Sequence, residues 1–353
     1  MSKRAANREA FTLGEHIIQP GEEHYIELPL PGLYTHSPVC MPVHVTHGRA
    51  DGAKLFISAA IHGDEINGVE IIRRVITSPV LKRMRGTLIA VPVVNVYGFI
   101  NKSRYLPDRR DLNRSFPGSE NGSMASKLAH VFLQQIARRC QYGIDLHTAA
   151  IGRDNLPQIR GKVFDDPELL ELAAAFDSPV ILNAELREGS LRHALTQTSS
   201  TKVLLYEAGE ALRFDEIAIR AGVRGILNIM RHLGMLSGQR HPRKQYIETA
   251  VAHSSRWVRA PQSGILRSII PMGSKVEKGT IMGYVADPFG ETEKPVIAPT
   301  AGMIIGKTTL PLVHEGEAIF HIARFDTLDS ASRSLEDFHN ELEPSEGDDH
   351  VIF

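Results

Sequence analysis

Three residues of the chain have the side chains and the spacing of a metal site. His62 and Glu65 are separated by two residues, and His147 lies further along the chain. Two imidazoles and one carboxylate are a common ligand set of hydrolytic zinc sites, which keep one coordination position open. A His-x-x-Glu pair also occurs by chance, and a histidine near a strand end is often a packing residue. Taken together, the three residues predict one zinc ion per chain.

Both histidines stand at the ends of short apolar runs that predict buried strands. Residues 55–60 precede His62, and residues 143–146 precede His147. Open α/β sheets place their ligands at the carboxyl ends of the strands, so both imidazoles are expected at one edge of a sheet. Asp145 shares the side of its strand with His147, and we expect it to orient that imidazole.

Other polar residues offer the remaining parts of a hydrolase. Glu207 ends an apolar strand, where a carboxylate can take a proton from water, although a surface glutamate in a turn is the plain alternative. Asn113 and Arg114 lie in the polar residues 101–123, which predict a long loop. A guanidinium held in that loop can bind a substrate carboxylate through two parallel hydrogen bonds. Arg160 can add a second contact to an anion or can equally be a surface arginine.

The elements that must position these residues alternate between strand and helix. Over residues 50–235 this alternation predicts a mostly parallel or mixed sheet with helices on both faces. We therefore expect a catalytic domain over residues 1–240. Short β segments separated by Gly and Pro predict a smaller all-β domain over residues 241–325. Residues 326–353 are strongly acidic and predict a solvated or mobile tail.

The composition excludes several other classes of protein. The 353 residues are 42% hydrophobic and 23% charged, as in an ordinary globular chain of two domains. With 40 basic and 41 acidic residues, the net charge of -1 creates no field that favours nucleic acid or an anionic membrane. Cys40 and Cys140 make no disulfide framework, and no signal-peptide or membrane-spanning run is present. We expect a cytoplasmic protein with a small-molecule substrate and leave homo-oligomerisation open.

Four motifs follow one another within residues 50–235. In this order and setting they resemble the succinylglutamate desuccinylase and aspartoacylase family, a branch of the zinc carboxypeptidase superfamily. Each motif is weak alone, and the four together are specific. The motifs are His62-x-x-Glu65, Asp111-Leu112-Asn113-Arg114, Asp145-Leu146-His147 and Tyr206-Glu207-Ala208-Gly209.

The resemblance implies a zinc-dependent amidohydrolase that removes an acyl group from the nitrogen of an amino acid. It implies that His62, Glu65 and His147 bind the zinc. It also implies that water activated by the metal attacks the amide directly, with Glu207 as the general base.

The resemblance further implies how the substrate is held. Asn113 and Arg114 correspond to the pair that binds a substrate carboxylate. The arginine that polarises the scissile carbonyl lies slightly upstream in the family, and Arg104 is the candidate. Arg109 and Arg110 are its rivals, and Arg110 is also expected among the substrate-binding residues.

Residues 264–316 resemble biotinyl and lipoyl carrier domains. The segment Ala260–Gly264 recurs as Ala298–Gly302, which indicates two similar halves. Carriers present a modified lysine at the tip of a hairpin, where this chain has Asp287–Gly290, and Lys294 lies beyond that tip. Cofactor carriage is therefore not expected. We expect the domain to cover one side of the active site or to support an oligomer.

Two other functions compete with amino-acid deacylation. A zinc carboxypeptidase acting on short peptides would use the same chemistry in a more open cleft. A binding or regulatory module would keep the fold without catalysis, and the presence of all the expected ligands and of the base disfavours it.

Overall fold

A computed structural model of the chain describes residues 8–238 and 251–342. Within these residues, none of the helices combines the length and the apolarity needed to cross a lipid bilayer. The strands are β1 (Phe11–Leu13), β2 (His16–Ile18), β3 (Glu22–Leu30), β4 (Val39–His47), β5 (Lys54–Ala59), β6 (Thr87–Val91), β7 (Tyr142–Ala149), β8 (Arg153–Gly161), β9 (Val180–Asn183), β10 (Lys202–Glu210), β11 (Val251–Ala252), β12 (Ser254–Arg259), β13 (Gly264–Ser268), β14 (Lys275–Val276), β15 (Ile281–Ala286), β16 (Glu293–Ile297), β17 (Gly302–Thr308), β18 (Leu312–Val313) and β19 (Ala318–Arg324). The α-helices are α1 (Asn67–Ile76), α2 (Val96–Ile100), α3 (Met124–Gln135), α4 (Pro167–Phe176), α5 (Leu191–Thr198), α6 (Glu216–His232) and α7 (Leu328–Leu342).

A mixed sheet of 13 strands runs through the molecule. Its main path has the order β12-β19-β17-β8-β10-β7-β5-β6-β4-β3. The central strands β10, β7, β5 and β6 are parallel, and β4 and β8 flank them in the antiparallel direction. The predicted α/β architecture is therefore confirmed. The parallel centre brings the carboxyl ends of β5, β7 and β10 to one edge, which is where the site lies.

Helices cover both faces of this sheet because the buried strands are apolar on both sides. On β5, Leu55 and Ile57 pack in the core under α1, α4 and α6, whereas Phe56 packs in the core under α3. Helix α4 begins after Asp166, whose carboxylate accepts a hydrogen bond of 3.1 Å from the Leu169 amide and caps the helix.

The C-terminal strands are less separate than the sequence predicts. Strands β12, β17 and β19 extend the large sheet because β17 pairs with β8, while β13, β15, β16 and β18 form a four-stranded sheet of their own. A third apolar core lies between these two groups of strands. The two copies of the repeat lead into different sheets, through β13 and β17. The carrier-like barrel stays a prediction, and the expected boundary at residue 240 lies outside the described residues.

The prediction of a solvated or mobile C-terminal tail is wrong over residues 328–342. They form α7, whose Ala331, Leu335 and Phe338 recur at helical spacing and are buried in the core shared with α4 and α6. The acidic composition of the segment concealed this apolar face. Residues 343–353 lie outside the described part of the chain.

Candidate metal centre and catalytic residues

A tight turn after β5 positions the first two predicted ligands. Ala60 has φ 51°, and a Cβ added to Gly63 would lie 2.0 Å from the carbonyl carbon of Gly98, so only glycine fits there. The turn brings His62 and Glu65 back over the end of the sheet before α1 begins. The conformation of the chain at this point is therefore restricted by close backbone contacts.

The structure brings the three predicted metal ligands together. The Nδ1 atom of His62 lies 2.7 Å from one oxygen of Glu65, and the Nδ1 atom of His147 lies 2.7 Å from the other. One potential ligand atom from each residue falls within 4.8 Å of the other two, and all three side chains are buried. This set of atoms can converge on a single small cation.

A carboxylate lies behind each imidazole. The Nε2 atom of His62 is 3.1 Å from Asp111, and that of His147 is 2.8 Å from Asp145. The Ser58 hydroxyl donates a hydrogen bond of 2.8 Å to Asp145 and fixes it in place. A carboxylate that accepts the Nε2 proton leaves the Nδ1 lone pair free for a metal. The donor set and its support therefore fit zinc.

The charged neighbours in the cluster shift the pKa values of Glu65, His62 and His147. Burial alone would raise the pKa of the Glu65 carboxyl, but the imidazoles of His62 and His147 hold it well below its usual range. Burial alone would lower the pKa of both imidazoles, and their carboxylate neighbours raise it instead. Zinc would take the positions of the Nδ1 protons, so its binding would release protons.

Arg104 is the one of the three candidate arginines that contacts this cluster in the described structure. Its guanidinium donates one hydrogen bond of 3.1 Å to Glu65 and a second of 3.1 Å to Asp111. Arg109 and Arg110 are exposed, and the Arg110 Nε lies 3.8 Å from Asp108. Of the three candidates, Arg104 is therefore the arginine that lies beside the candidate metal ligands.

The Asn113 and Arg114 pair belongs to a loop that is anchored to the protein. The Asn113 side-chain oxygen accepts a hydrogen bond of 3.0 Å from the Leu191 amide at the start of α5. Arg114 is exposed and donates a hydrogen bond to the carbonyl oxygen of Asn113. Asn113 therefore ties the loop to α5, while the guanidinium of Arg114 remains accessible.

Glu207 lies on the strand next to His147. The two residues are paired in register between the parallel strands β10 and β7. The Asn155 amide donates a hydrogen bond of 2.6 Å to one oxygen of Glu207, and the Arg160 guanidinium lies 3.2 Å from the other. Arg160 is thus partnered by Glu207 in this structure. The two contacts fix the orientation of the carboxylate beside the metal centre.

Arg192, on α5, is a site residue that the sequence analysis missed. Its guanidinium donates a hydrogen bond of 3.2 Å to the carbonyl oxygen of Arg160, and among the described residues it has no carboxylate partner. Burial and Arg160 lower its pKa to about 10, while Glu207 and Asp145 oppose this shift. An arginine in such a place is suited to an incoming anion. No local sequence pattern identifies Arg192, because only the packing of α5 brings this residue to the site.

Comparison with known proteins gives consistent results. Residues 51–233 match the family model described as the succinylglutamate desuccinylase/aspartoacylase catalytic domain. An N-alpha-acetyl-L-2,4-diaminobutyric acid deacetylase from Halomonas elongata is 27% identical over 294 residues, or 81% of this chain and 86% of the relative.

Solved structures show the same fold. A succinylglutamate desuccinylase/aspartoacylase from Rhodobacter sphaeroides is 24% identical with a TM-score of 0.75, covering 86% of this chain and 95% of its own. The product-bound ectoine utilization protein EutE (DoeB) from Ruegeria pomeroyi is 23% identical with a TM-score of 0.75, covering 86% of this chain and 94% of its own.

Proposed function

Because the chain belongs to the succinylglutamate desuccinylase/aspartoacylase family, we propose that it is a zinc-dependent amidohydrolase that removes an N-acyl group from an acylated amino acid. One observation carries the proposal. His62, Glu65 and His147 present ligand atoms within 4.8 Å of one another, and Glu207 is in register with His147 on the adjacent strand. A candidate metal-binding set and a carboxylate that could act as a base therefore share one end of the sheet.

The metal centre has a defined role in this proposal. His62 and His147 would bind zinc through Nδ1, together with the Glu65 carboxylate. Bound there, zinc would act as a Lewis acid towards the scissile carbonyl and would lower the pKa of water. Asp111 and Asp145 keep the two imidazoles in the orientation that this binding needs.

Glu207 moves the proton in the proposed reaction. Its carboxylate takes a proton from the attacking water as the oxygen forms a bond to the acyl carbon. The same proton then passes to the amide nitrogen as the C–N bond breaks, which yields a carboxylic acid and an amine. Asn155 and Arg160 hold the two carboxylate oxygens of Glu207 during this exchange.

Arginines bind the charged parts of the substrate and of the transition state. Arg104 has further N–H groups beyond those bonded to Glu65 and Asp111, and these can stabilise the developing oxyanion. Arg192 and Arg114 receive the carboxylate of the amino-acid substrate, since an arginine can bind a carboxylate through two parallel bonds.

Acetylated amino acids are the first substrates to test. The Halomonas elongata relative is named as a deacetylase of N-alpha-acetyl-L-2,4-diaminobutyric acid. We propose that the present chain hydrolyses the same chemical class, an amino acid acylated on its α-nitrogen. We expect it to act in the cytoplasm, where the free Cys40 and Cys140 stay reduced.

The test is a hydrolysis panel with the zinc-loaded protein. N-acetyl, N-succinyl and longer N-acyl amino acids are assayed beside short peptides, with chelator-treated protein and Glu207→Gln as controls. We expect turnover of N-acyl amino acids that is abolished by the chelator and restored by zinc. A marked preference for peptides would instead identify a carboxypeptidase. Absence of turnover with zinc bound would identify a binding module.

A further inference from the structure

A buried asparagine, Asn67, joins the turn that holds two of the candidate metal ligands to the strand that holds Glu207. It is the first residue of α1, lies two positions after Glu65 and is 1% exposed. Its side-chain amide nitrogen donates a hydrogen bond of 3.2 Å to the carbonyl oxygen of Ala208, the residue that follows Glu207. One side chain therefore connects the backbone at the candidate base to the backbone at the candidate metal ligands.

Asn67 also holds the far end of the loop that follows β10. Its side-chain oxygen accepts a hydrogen bond of 3.1 Å from the backbone amide of Asp215, which precedes α6. In the middle of that loop, the Leu212 amide donates a hydrogen bond of 2.8 Å to the carbonyl oxygen of Asp64. The loop from Ala208 to Asp215 is thus attached at three points to residues 64–67, which include Glu65.

Strand β10 departs from regular pairing directly after Glu207. Between the pairs that Glu207 and Glu210 form with β7, two residues of β10 stand opposite one residue of β7. Such a bulge bends the strand and re-aims its side chains, and bulges are frequent beside active sites. Gly209, within the bulge, has φ 75°, and a Cβ added there would lie 2.6 Å from the amide nitrogen of Asn67. The bulge and Asn67 are therefore packed in direct contact, at a position that only glycine fits.

The contacts of Asn67 differ in kind from the other contacts near Glu207. Asn155 and Arg160 contact the two carboxylate oxygens and so orient the end of the side chain. Asn67 bonds to the next peptide group of the strand and so restrains the backbone from which that side chain extends. Both restraints are needed to fix a carboxylate, because a side chain follows its backbone.

We propose that Asn67 is a positioning residue that fixes the backbone of Glu207 relative to Glu65 and thereby keeps the base beside the metal ligands. The proposal rests on the deacylase function, in which Glu207 takes the proton from water. Asn67 is assigned no contact with the metal or the substrate. A general base must lie within about 2.6 to 3.2 Å of the atom whose proton it removes. A displacement of about 1 Å caused by a change away from the reacting atoms can therefore lower the rate about 100-fold.

Two substitutions remove the bond between Asn67 and Ala208. Asn67→Asp keeps an oxygen for the Asp215 amide and loses the N–H groups, whereas Asn67→Ala loses both contacts. We expect each variant to lower kcat by about tenfold or more, with KM and the zinc dissociation constant kept within about twofold, because the base acts only in the transition state. A purely structural role would lower the thermal midpoint and leave kcat of the folded protein unchanged.

A double-mutant cycle with Glu207→Gln tests whether Asn67 acts through the base. The cycle uses the zinc-loaded protein and the substrate that wild type hydrolyses fastest. If Asn67 positions Glu207, Asn67→Ala should lower kcat by less than about twofold when Glu207 is already replaced. Equal losses in the two backgrounds, or a variant that loses zinc, would overturn the proposal, because Asn67 would then act through the metal ligands or the fold.

Asn228→Ala is the matched control. Asn228 is also a buried asparagine, 8% exposed, and its side-chain oxygen accepts a hydrogen bond of 3.1 Å from Arg231 within α6. Its loss should leave kcat unchanged in both backgrounds, since it lies far along α6 from Asp215. Thermal midpoints identify the folded variants. If Asn67→Ala does not fold, Asn67→Asp takes its place in the cycle, with the same result expected.

Crystal structures provide a readout that needs no turnover. In zinc-loaded Asn67→Asp, we expect the Glu207 carboxylate to lie more than about 0.5 Å from its place in wild type when the structures are superimposed on residues 62–65, a shift large enough to disturb a catalytic arrangement. If none of the N-acyl amino acids or peptides is hydrolysed, the deacylase function fails, and this comparison still tests the positioning. A carboxylate that stays in place in the variant would overturn the role of Asn67, whatever the activity.

Discussion

Removing the charge behind His147 should weaken zinc binding while the catalytic residues stay in place. Asp145 is 1% exposed, lies 2.8 Å from the Nε2 atom of His147 and accepts a hydrogen bond from Ser58. In Asp145→Asn the shape is kept, but the carboxylate that fixes the imidazole and raises its basicity is lost. Replacing such a carboxylate typically lowers metal affinity about 10- to 100-fold.

The buried position of Asp145 places the expected effect at the upper end of that range. A 100-fold change in the dissociation constant corresponds to about 2.7 kcal/mol, at 1.36 kcal/mol for each factor of ten. Ser58→Ala is the matched control, because it removes one hydrogen-bond donor from the same carboxylate and leaves the charge. We expect Ser58→Ala to weaken zinc binding by less than about tenfold, because the carboxylate beside His147 is kept.

The assay is a competition for zinc between the protein and a chromophoric chelator at fixed pH. Thermal unfolding of each metal-free variant confirms that it is folded. Asp111→Asn provides a second comparison, because Asp111 supports His62 and also binds Arg104. If Asp145→Asn binds zinc within twofold of wild type while His147→Ala loses it, the carboxylate has no role in holding the metal.

Three further substitutions test other parts of the structure. Glu207→Gln should lower kcat about 10²- to 10⁴-fold, as for loss of a general base, with zinc content measured by mass spectrometry unchanged. Arg192→Gln should raise KM for N-acyl amino acids about tenfold or more, as for loss of a charged hydrogen bond, with kcat nearly kept; an unchanged KM in steady-state assays would refute its contact with the substrate. Phe338→Ala should lower the free energy of unfolding by about 3 to 5 kcal/mol in urea titrations, because its ring is fully buried. The exposed Glu336→Ala is its control and should change that free energy by less than about 0.5 kcal/mol; equal effects of the two would show that α7 is not packed as described.

The candidate metal site could be predicted from the sequence because its parts depend on local rules. His62 and His147 follow apolar runs, and parallel strands bring their carboxyl ends to one edge of a sheet. Asp145 shares a side of β7 with His147 because strand residues alternate with a period of two. Only the structure distinguishes Arg104 from Arg109 and Arg110. All three lie in a loop, where no repeating pattern of the sequence predicts which way a side chain points.

Features that depend on contacts between distant segments could not be predicted. Arg192 reaches Arg160 through the packing of α5, and the C-terminal strands join the large sheet through the pairing of β17 with β8. No repeating pattern in the sequence predicts such contacts between distant segments.

The helix at residues 328–342 was missed for a different reason. Its charged residues dominate the composition, while its burial depends on apolar residues at positions such as Ala331 and Phe338.

The most direct test of the account is to locate zinc in a crystal of the zinc-loaded protein by anomalous diffraction at the zinc edge. The proposed metal site should give one strong peak per chain, in contact with the Nδ1 atoms of His62 and His147 and with a carboxylate oxygen of Glu65. A peak bound by other residues, or no peak between these three side chains at full zinc loading, would contradict it.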